Sequence, residues 1–196
     1  MNLKTNLVVP CHWDYNILEI LTKQNEQHKD KNIAVTDIYG ALVGEVIGNG
    51  RSQCKITKQS RKDAIYFRDM VRKKGIRFNY LLNNSIPLVS NPSLGEVYEY
   101  TDWIVDDFAP DGLIIASKDL MQIIRKRYRK IPIHISTIAG DSSATDLEKF
   151  EEFKPKRVVV HNDLARDFKN LEEVIKKALD FGIEVEILTT ESCLRK

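Results

Sequence analysis

PDGLIIASKDLMQIIRKRYRKIPIHIS, residues 110–136, contains one complete period of the pattern on which the fold rests. Leu113 to Ile115 is an apolar run without polar alternation, as expected of a strand covered on both faces. Ser117 is placed to cap a helix, and Leu120, Ile123 and Ile124 recur at helical spacing on one side of it. Pro132 then opens a second short strand, Ile133 to Ser136. A strand, a helix and a strand over this length make the crossover that parallel strands require.

The same alternation extends in both directions. Towards the N-terminus, Leu7 to Val9 reads as a strand, followed by a helix capped by Asp14 with Ile17, Leu18 and Leu21 on one face. Ile33 to Val35 is the next strand. A loop carrying Gly40, Gly44, Gly48 and Gly50 leads to a helix from about Ser60, with Ala64, Phe67 and Val71 aligned and Gly75 as its stop. Phe78 to Leu82 follows as a strand, with Val97, Tyr100, Ile104 and Phe108 at helical spacing after it. Towards the C-terminus come a helix around Ala144, Leu147 and Phe150, a strand Val158 to Val160, an amphipathic helix bearing Leu171, Val174, Ile175, Ala178 and Leu179, and a strand Ile183 to Leu188 after Gly182. Seven strands alternating with helices predict an α/β fold, a parallel (β/α) TIM-type barrel that is incomplete at about seven strands. An open doubly wound sheet is the alternative. No composition break divides the 196 residues, so residues 1–196 are expected to form a single barrel-like domain that lacks a C-terminal extension.

Thirty Lys and Arg balance 28 Asp and Glu for a formal charge of +2, so no whole-chain field points to a nucleic-acid partner. Cys11, Cys54 and Cys193 are widely spaced and include no Cys-x-x-Cys pair, which argues against a disulfide framework and leads to no metal assignment. With no leader-like apolar run and no stretch of about 18 apolar residues, the expected compartment is the cytoplasm and no membrane partner is expected.

From Asp111 onward the order DGLIIASKDL, IPIHISTIAG, KRVVVHNDL and GIEVEIL, ending near Cys193, resembles the collagenase-like peptidase family. The earlier pieces IYGALVGEVIGNGR and FNYLLNN resemble a divergent branch of it. The resemblance implies a barrel whose relatives are linked to collagen degradation, to hydroxylation of ribosomal and transfer RNA, and to oxygen-independent ubiquinone hydroxylation, several with iron-sulfur clusters. It also implies further cysteines and more chain beyond the position of Cys193. Ile138 stands where typical members have Gln, and Asn162, Asp163 and Leu164 stand where they have Arg-Glu-Leu.

In a (β/α) barrel the C-terminal strand ends line the mouth. The candidates there are Cys11 and His12, Asp37 and Tyr39, Asn83 and Asn84, Ser117, Ser136 and Thr137, His161 and Asp163, and Glu191 and Cys193. Cys11 is a candidate nucleophile, activated by a base such as His134 or His161 rather than by adjacent His12, and the plainer reading is a buried thiol. His134 is a candidate acid or base on the family's His-x-Ser-Thr strand, or else a hydrogen-bonded core histidine. His161, oriented by Asp163, is the third catalytic candidate. Arg51, at the end of the Gly-rich loop, is a candidate anion anchor, with Asn83, Ser136, Thr137, Asp163 and Glu191 as further substrate-binding candidates. Arg125, Lys126, Arg127, Arg129 and Lys130 could contact an RNA backbone, but they also complement a helix C-terminus. The expected function is that of a hydrolase of this family, acting on a peptide-like or small anionic ligand. Alternatives are a binding subunit completed by a partner chain and a component of RNA hydroxylation. A homodimer or a second protein chain is the expected partner, because unclosed sheet edges at Leu7 to Val9 and Ile183 to Leu188 seek one. No cofactor is assigned.

Overall fold

The structure, a computed structural model, describes residues 5–50, 57–83, 92–140 and 143–189. Its strands are β1 (Thr5–Pro10), β2 (Ile33–Gly40), β3 (Arg77–Leu82), β4 (Gly112–Ile115), β5 (Ile133–Ile135), β6 (Arg157–Val159) and β7 (Glu184–Glu186). The helices between them are α1 (Tyr15–Gln27), α2 (Arg61–Lys73), α3 (Leu94–Asp102), α4 (Lys118–Arg127), α5 (Ala144–Glu148) and α6 (Phe168–Asp180). The sheet order is β1-β2-β3-β4-β5-β6-β7, and the β1–β2, β2–β3, β5–β6 and β6–β7 pairings are parallel. Strands that neighbour in space in the order they occur in sequence are those of a (β/α) barrel. A doubly wound sheet would reverse its order at one point. Among the described residues no helix is long and apolar enough to cross a membrane.

The chain divides into two compact units, with the boundary inside β4 between Leu113 and Ile114. The first unit holds β1 to β3 and α1 to α3. Alternate residues of β3 sort onto two faces. Phe78 and Tyr80 turn towards the helices, where Phe78 meets Phe67 of α2 and Phe108, and Tyr80 meets Trp103 and Phe108, all at edge-on angles. Asn79 lies on the other face and donates to the carboxylate of Asp37, only 1% exposed, which also accepts from Arg77 at 2.8 Å and from the Thr36 hydroxyl. Asp37 and Tyr39 therefore lie within β2, which runs longer than the sequence pattern suggests, and not beyond its end. A register shift between Leu7 and Val8 faces this strand, and the Asn25 amide of α1 bonds both backbone groups of Val35 beside it.

Capping follows the sequence closely. Asp14, Ser60 and Ser93 accept backbone N–H groups at the starts of α1, α2 and α3. Gly75 takes a left-handed φ of 73° at the end of α2. The apolar series Val97, Tyr100, Ile104 and Phe108 is buried as its spacing predicts, but it is not one α-helix. After Asp102 the chain widens into a π turn over Trp103–Phe108, which closes with the Ala109 N–H donating to Ile104 five residues back.

In the second unit, Ser117 caps α4 and a reciprocal Ser143–Asp146 box caps the five-residue α5. Arg125 donates to the carbonyls of Phe153, Arg129 and Ile131 at 2.9–3.0 Å, so this member of the basic run serves as a structural clasp for the chain leaving α4. Burial pushes its pKa down. Arg157 of β6, 5% exposed, forks onto Glu184 and Glu186 of β7 at 2.8–3.1 Å. Because the two glutamates are two residues apart on a strand, they share a face and reach one guanidinium.

Candidate functional site

The first unit carries an ordered loop after β2. Residues Ala41, Leu42, Ile47 and Asn49 are buried, the Leu42 N–H donates to the Tyr80 hydroxyl at 3.0 Å, and the Asn49 amide donates to the Leu42 carbonyl. Tyr80 and Tyr100 hydroxyls share a 2.9 Å hydrogen bond. Further along, Glu45 takes a two-pronged contact from Arg61, whose guanidinium lies 4.7 Å from the Trp103 ring centroid. Glu45 holds the Arg61 pKa up. A loop this well fastened is a preformed wall and not a slack connector.

Burial raises the Tyr80 pKa to about 12, and the Tyr100 hydroxyl is pushed up as well for the same reason. A phenol whose folded pKa exceeds its unfolded value contributes stability that is complete below about pH 10 and is lost as pH rises through about 12. Tyr80→Phe is therefore expected to cost about 1–3 kcal/mol by stranding the Leu42 N–H, and to remove part of the alkaline loss of stability between pH 10 and 12. Denaturant melts across that range check both; an unchanged alkaline limb would show that Tyr80 does not anchor the loop.

Cys11 follows β1 at 1% exposure. Its thiol accepts the Trp13 N–H at 3.2 Å, its own N–H donates to Tyr39, and its Cβ lies against the bare backbone of Gly40. Trp13 holds a left-handed φ of 60°, which turns its ring onto Phe67 and Phe78. These contacts suit a packed thiol rather than one presented to a substrate.

The second unit brings four of the sequence candidates to adjoining strand ends. Ser136, directly after β5, accepts the Ile138 N–H and starts a short 3₁₀ turn. The Thr137 hydroxyl donates to the Val160 carbonyl at 3.1 Å, tying the end of β5 to the residue before His161. His161 is partly exposed, and its Nδ1 lies 3.4 Å from both the Asp163 N–H and the Asp163 carboxylate. A neutral ring accepts from the former and a protonated ring donates to the latter, so either protonation state has a partner. His134 is buried in β5 in register with Arg157, the first residue of β6, whereas His161 lies beyond the end of that strand. Asn83, 8% exposed, follows β3 directly, and its Oδ1 has no hydrogen-bond partner among the described residues. Arg51, Cys54, Asn84, Glu191 and Cys193 lie outside the described residues.

No group of three or more His, Cys, Asp or Glu among the described residues could hold a metal ion, and Cys11 is engaged in packing. Of the basic run, Lys126, Arg127, Arg129 and Lys130 remain exposed at the end of α4. A groove of about 430 Å³ in the first unit is lined by Arg61, Glu99, Asp102, Trp103, Asp106 and Asp107, an acidic wall that repels phosphate. Periodicity did not single out Tyr80, Tyr100, Glu45, Arg61 or Arg157 as site-building residues, because each takes its role from a partner distant in sequence.

Residues 67–193 match the model of peptidase family U32. Over 175 residues the chain is 28% identical to tRNA hydroxylation protein P of Helicobacter pylori strain J99 and 29% identical to that of strain 26695. Each alignment covers 88% of this chain and 39% of the relative, so the chain spans well under half the length of the curated proteins it matches. Among solved structures it is similar to the U32 peptidase Mk0906, with a TM-score of 0.69 at 12% identity over 94% of this chain and 68% of that one. A glycerophosphodiester phosphodiesterase from Parabacteroides distasonis gives 0.59 at 12% identity over 96% and 86%. At these identities the structural likeness is one of fold alone.

Proposed function

This chain belongs to peptidase family U32, and we propose that its role lies in RNA hydroxylation, as part of the kind of longer protein that its curated relatives represent. The observation that carries this reading is the alignment with two proteins named for tRNA hydroxylation, which runs across 88% of the chain and so includes both units. In this reading the adjoining ends of β5 and β6 face the RNA. His161 supplies a titratable group that can donate or accept at a base or ribose, and Thr137 holds the loop that carries it. Lys126, Arg127, Arg129 and Lys130, at the other end of α4, meet phosphates of a ligand long enough to reach both ends of the unit. A hydrolytic reading has less support, since the thiol of Cys11 is packed against Gly40 and takes the Trp13 N–H.

The test is deletion of the gene followed by mass spectrometry of tRNA nucleosides. Loss of a hydroxylated nucleoside, restored by the wild-type gene and not by His161→Ala, is the expected result. An unchanged nucleoside profile in the deletion strain overturns the proposal. Full restoration by the His161→Ala variant removes His161 from the site.

A further inference from the structure

The two connections that enter β5 and β6 lie at the end of the second unit opposite His161, since both strands run the same way and His161 follows the end of β6. They concentrate positive charge. Residues 126–132 and 151–156 hold six cations against two carboxylates, in a chain whose formal charge is only +2. Each connection is internal to the sheet order, with strands of this chain on both sides of it. Arg125 ties the two together: its Nε donates to the Phe153 carbonyl at 2.9 Å and its Nη1 to the Arg129 and Ile131 carbonyls at 3.0 and 2.9 Å. That one guanidinium holds the exit loop. Lys126 and Arg127 complement the dipole of α4, but Arg129 and Lys130 lie beyond its end, and Lys154 and Lys156 belong to the other connection. All six are exposed, and among the described residues Lys126, Arg129, Lys130, Lys154 and Lys156 pair with no carboxylate. Of the two acids, Glu151 lies towards α6, where it reinforces Glu148 and Asp180 in raising the Lys177 pKa.

Lys154 adds a second observation. It holds a left-handed φ of 46° at the end of a 3₁₀ turn over Glu151–Phe153, a backbone conformation in which glycine is the relaxed choice. The fold alone would be better served by glycine there, so the lysine stands at a cost to stability, and such a cost points to a use for the side chain. We infer that the two connections form one binding face for the phosphodiester backbone of an RNA, with Arg129, Lys130, Lys154 and Lys156 set against phosphates. This rests on the RNA reading proposed above and extends it: the face is built from two loops, and half of its contacts come from lysines outside the basic run that follows α4. Contacts of this kind carry affinity without base selectivity, and each phosphate neutralised releases counterions, so binding falls steeply with salt.

Fluorescence anisotropy of a labelled tRNA transcript with the purified 196-residue chain, repeated between about 50 and 200 mM KCl, tests this. Lys154→Gly and Lys156→Ala are each expected to weaken binding about fivefold at the low-salt end and to reduce the salt slope by about one, equally for the tRNA and for an unrelated RNA stem. Lys154→Gly separates binding from folding, because it relieves the left-handed strain and so leaves the thermal midpoint at or above that of the wild type. A Lys154→Gly chain that keeps both the affinity and the salt slope of the wild type overturns the inference. So does a wild-type chain that does not bind the transcript at 50 mM KCl, or one that binds vesicles of anionic phospholipid through these lysines and not RNA. Salt-dependent tRNA binding that both variants weaken, in a protein whose deletion leaves every tRNA nucleoside unchanged, upholds the face and overturns only the hydroxylation reading.

Discussion

Gly40→Ala is expected to destabilise the first unit by about 2–3 kcal/mol, although it adds a single methyl group. A Cβ built on Gly40 would lie 2.8 Å from the Cβ of Cys11, closer than two carbons can approach, with the Phe78 ring in ordinary contact at 3.5 Å behind it. Relief is difficult. Cys11 is held through its N–H to Tyr39 and through its thiol to Trp13, and Phe78 is locked in the aromatic cluster. The clash therefore moves backbone rather than a flexible side chain end. Urea melts of Gly40→Ala, Cys11→Gly and the double variant form the test. Because Cys11→Gly deletes the opposing Cβ, the double variant should be more stable than additivity predicts by at least about 1 kcal/mol. Cys11→Ala keeps that Cβ and should give no such recovery. An unchanged urea midpoint for Gly40→Ala would show that β1 and β2 can separate there at little cost.

Arg157→Met is expected to cost about 2–3 kcal/mol in the second unit, despite replacing a buried charge with an apolar chain of similar length. The loss arises from what remains. Glu184 and Glu186 both direct a carboxylate at the guanidinium, and without it two negative charges face each other on one strand. The figure lies below the usual range for a broken buried pair because Glu184 is about half exposed and keeps some hydration. Arg157→Lys should fall between the two, since an ammonium cannot serve both carboxylates in a planar fork. Adding Glu184→Gln and Glu186→Gln to Arg157→Met should recover most of the loss. Failure of that rescue would mean that Arg157 contributes through packing and not through its charge.

Much of the candidate site was legible as residue types at strand ends, and much less of it as geometry. Ser136, Thr137, His161 and Asp163 were readable because strand exits follow directly from where apolar runs stop. That the Thr137 hydroxyl reaches the Val160 carbonyl was not readable, because it depends on the relative stagger of β5 and β6. Cys11 next to His12 suggested reactivity, and neither the burial of the thiol nor the close approach of Gly40 to its Cβ was readable from that pair. Asp37 was placed one strand end too late, because its polar side chain broke an apolar run that in fact continues through it. Arg125 was read correctly as helix-end chemistry, since its carbonyl partners lie on its own exit loop or in the segment packed against it.

The sequence by itself determined the order and type of the elements, their caps at Asp14, Ser60 and Ser117, and the glycine stops at Gly75 and Gly182. These are local matters, settled by side chains within one or two turns of the backbone they bond. Only the tertiary structure decided that the strands lie in the order β1 to β7, with no reversal. Tertiary structure likewise joined Tyr80 to Leu42 across 38 residues and Arg157 to Glu184 across 27, and widened the end of α3 into a π turn. Each of these depends on register and packing between segments distant in the chain, where the free energy lies in the pair and neither sequence segment alone specifies it.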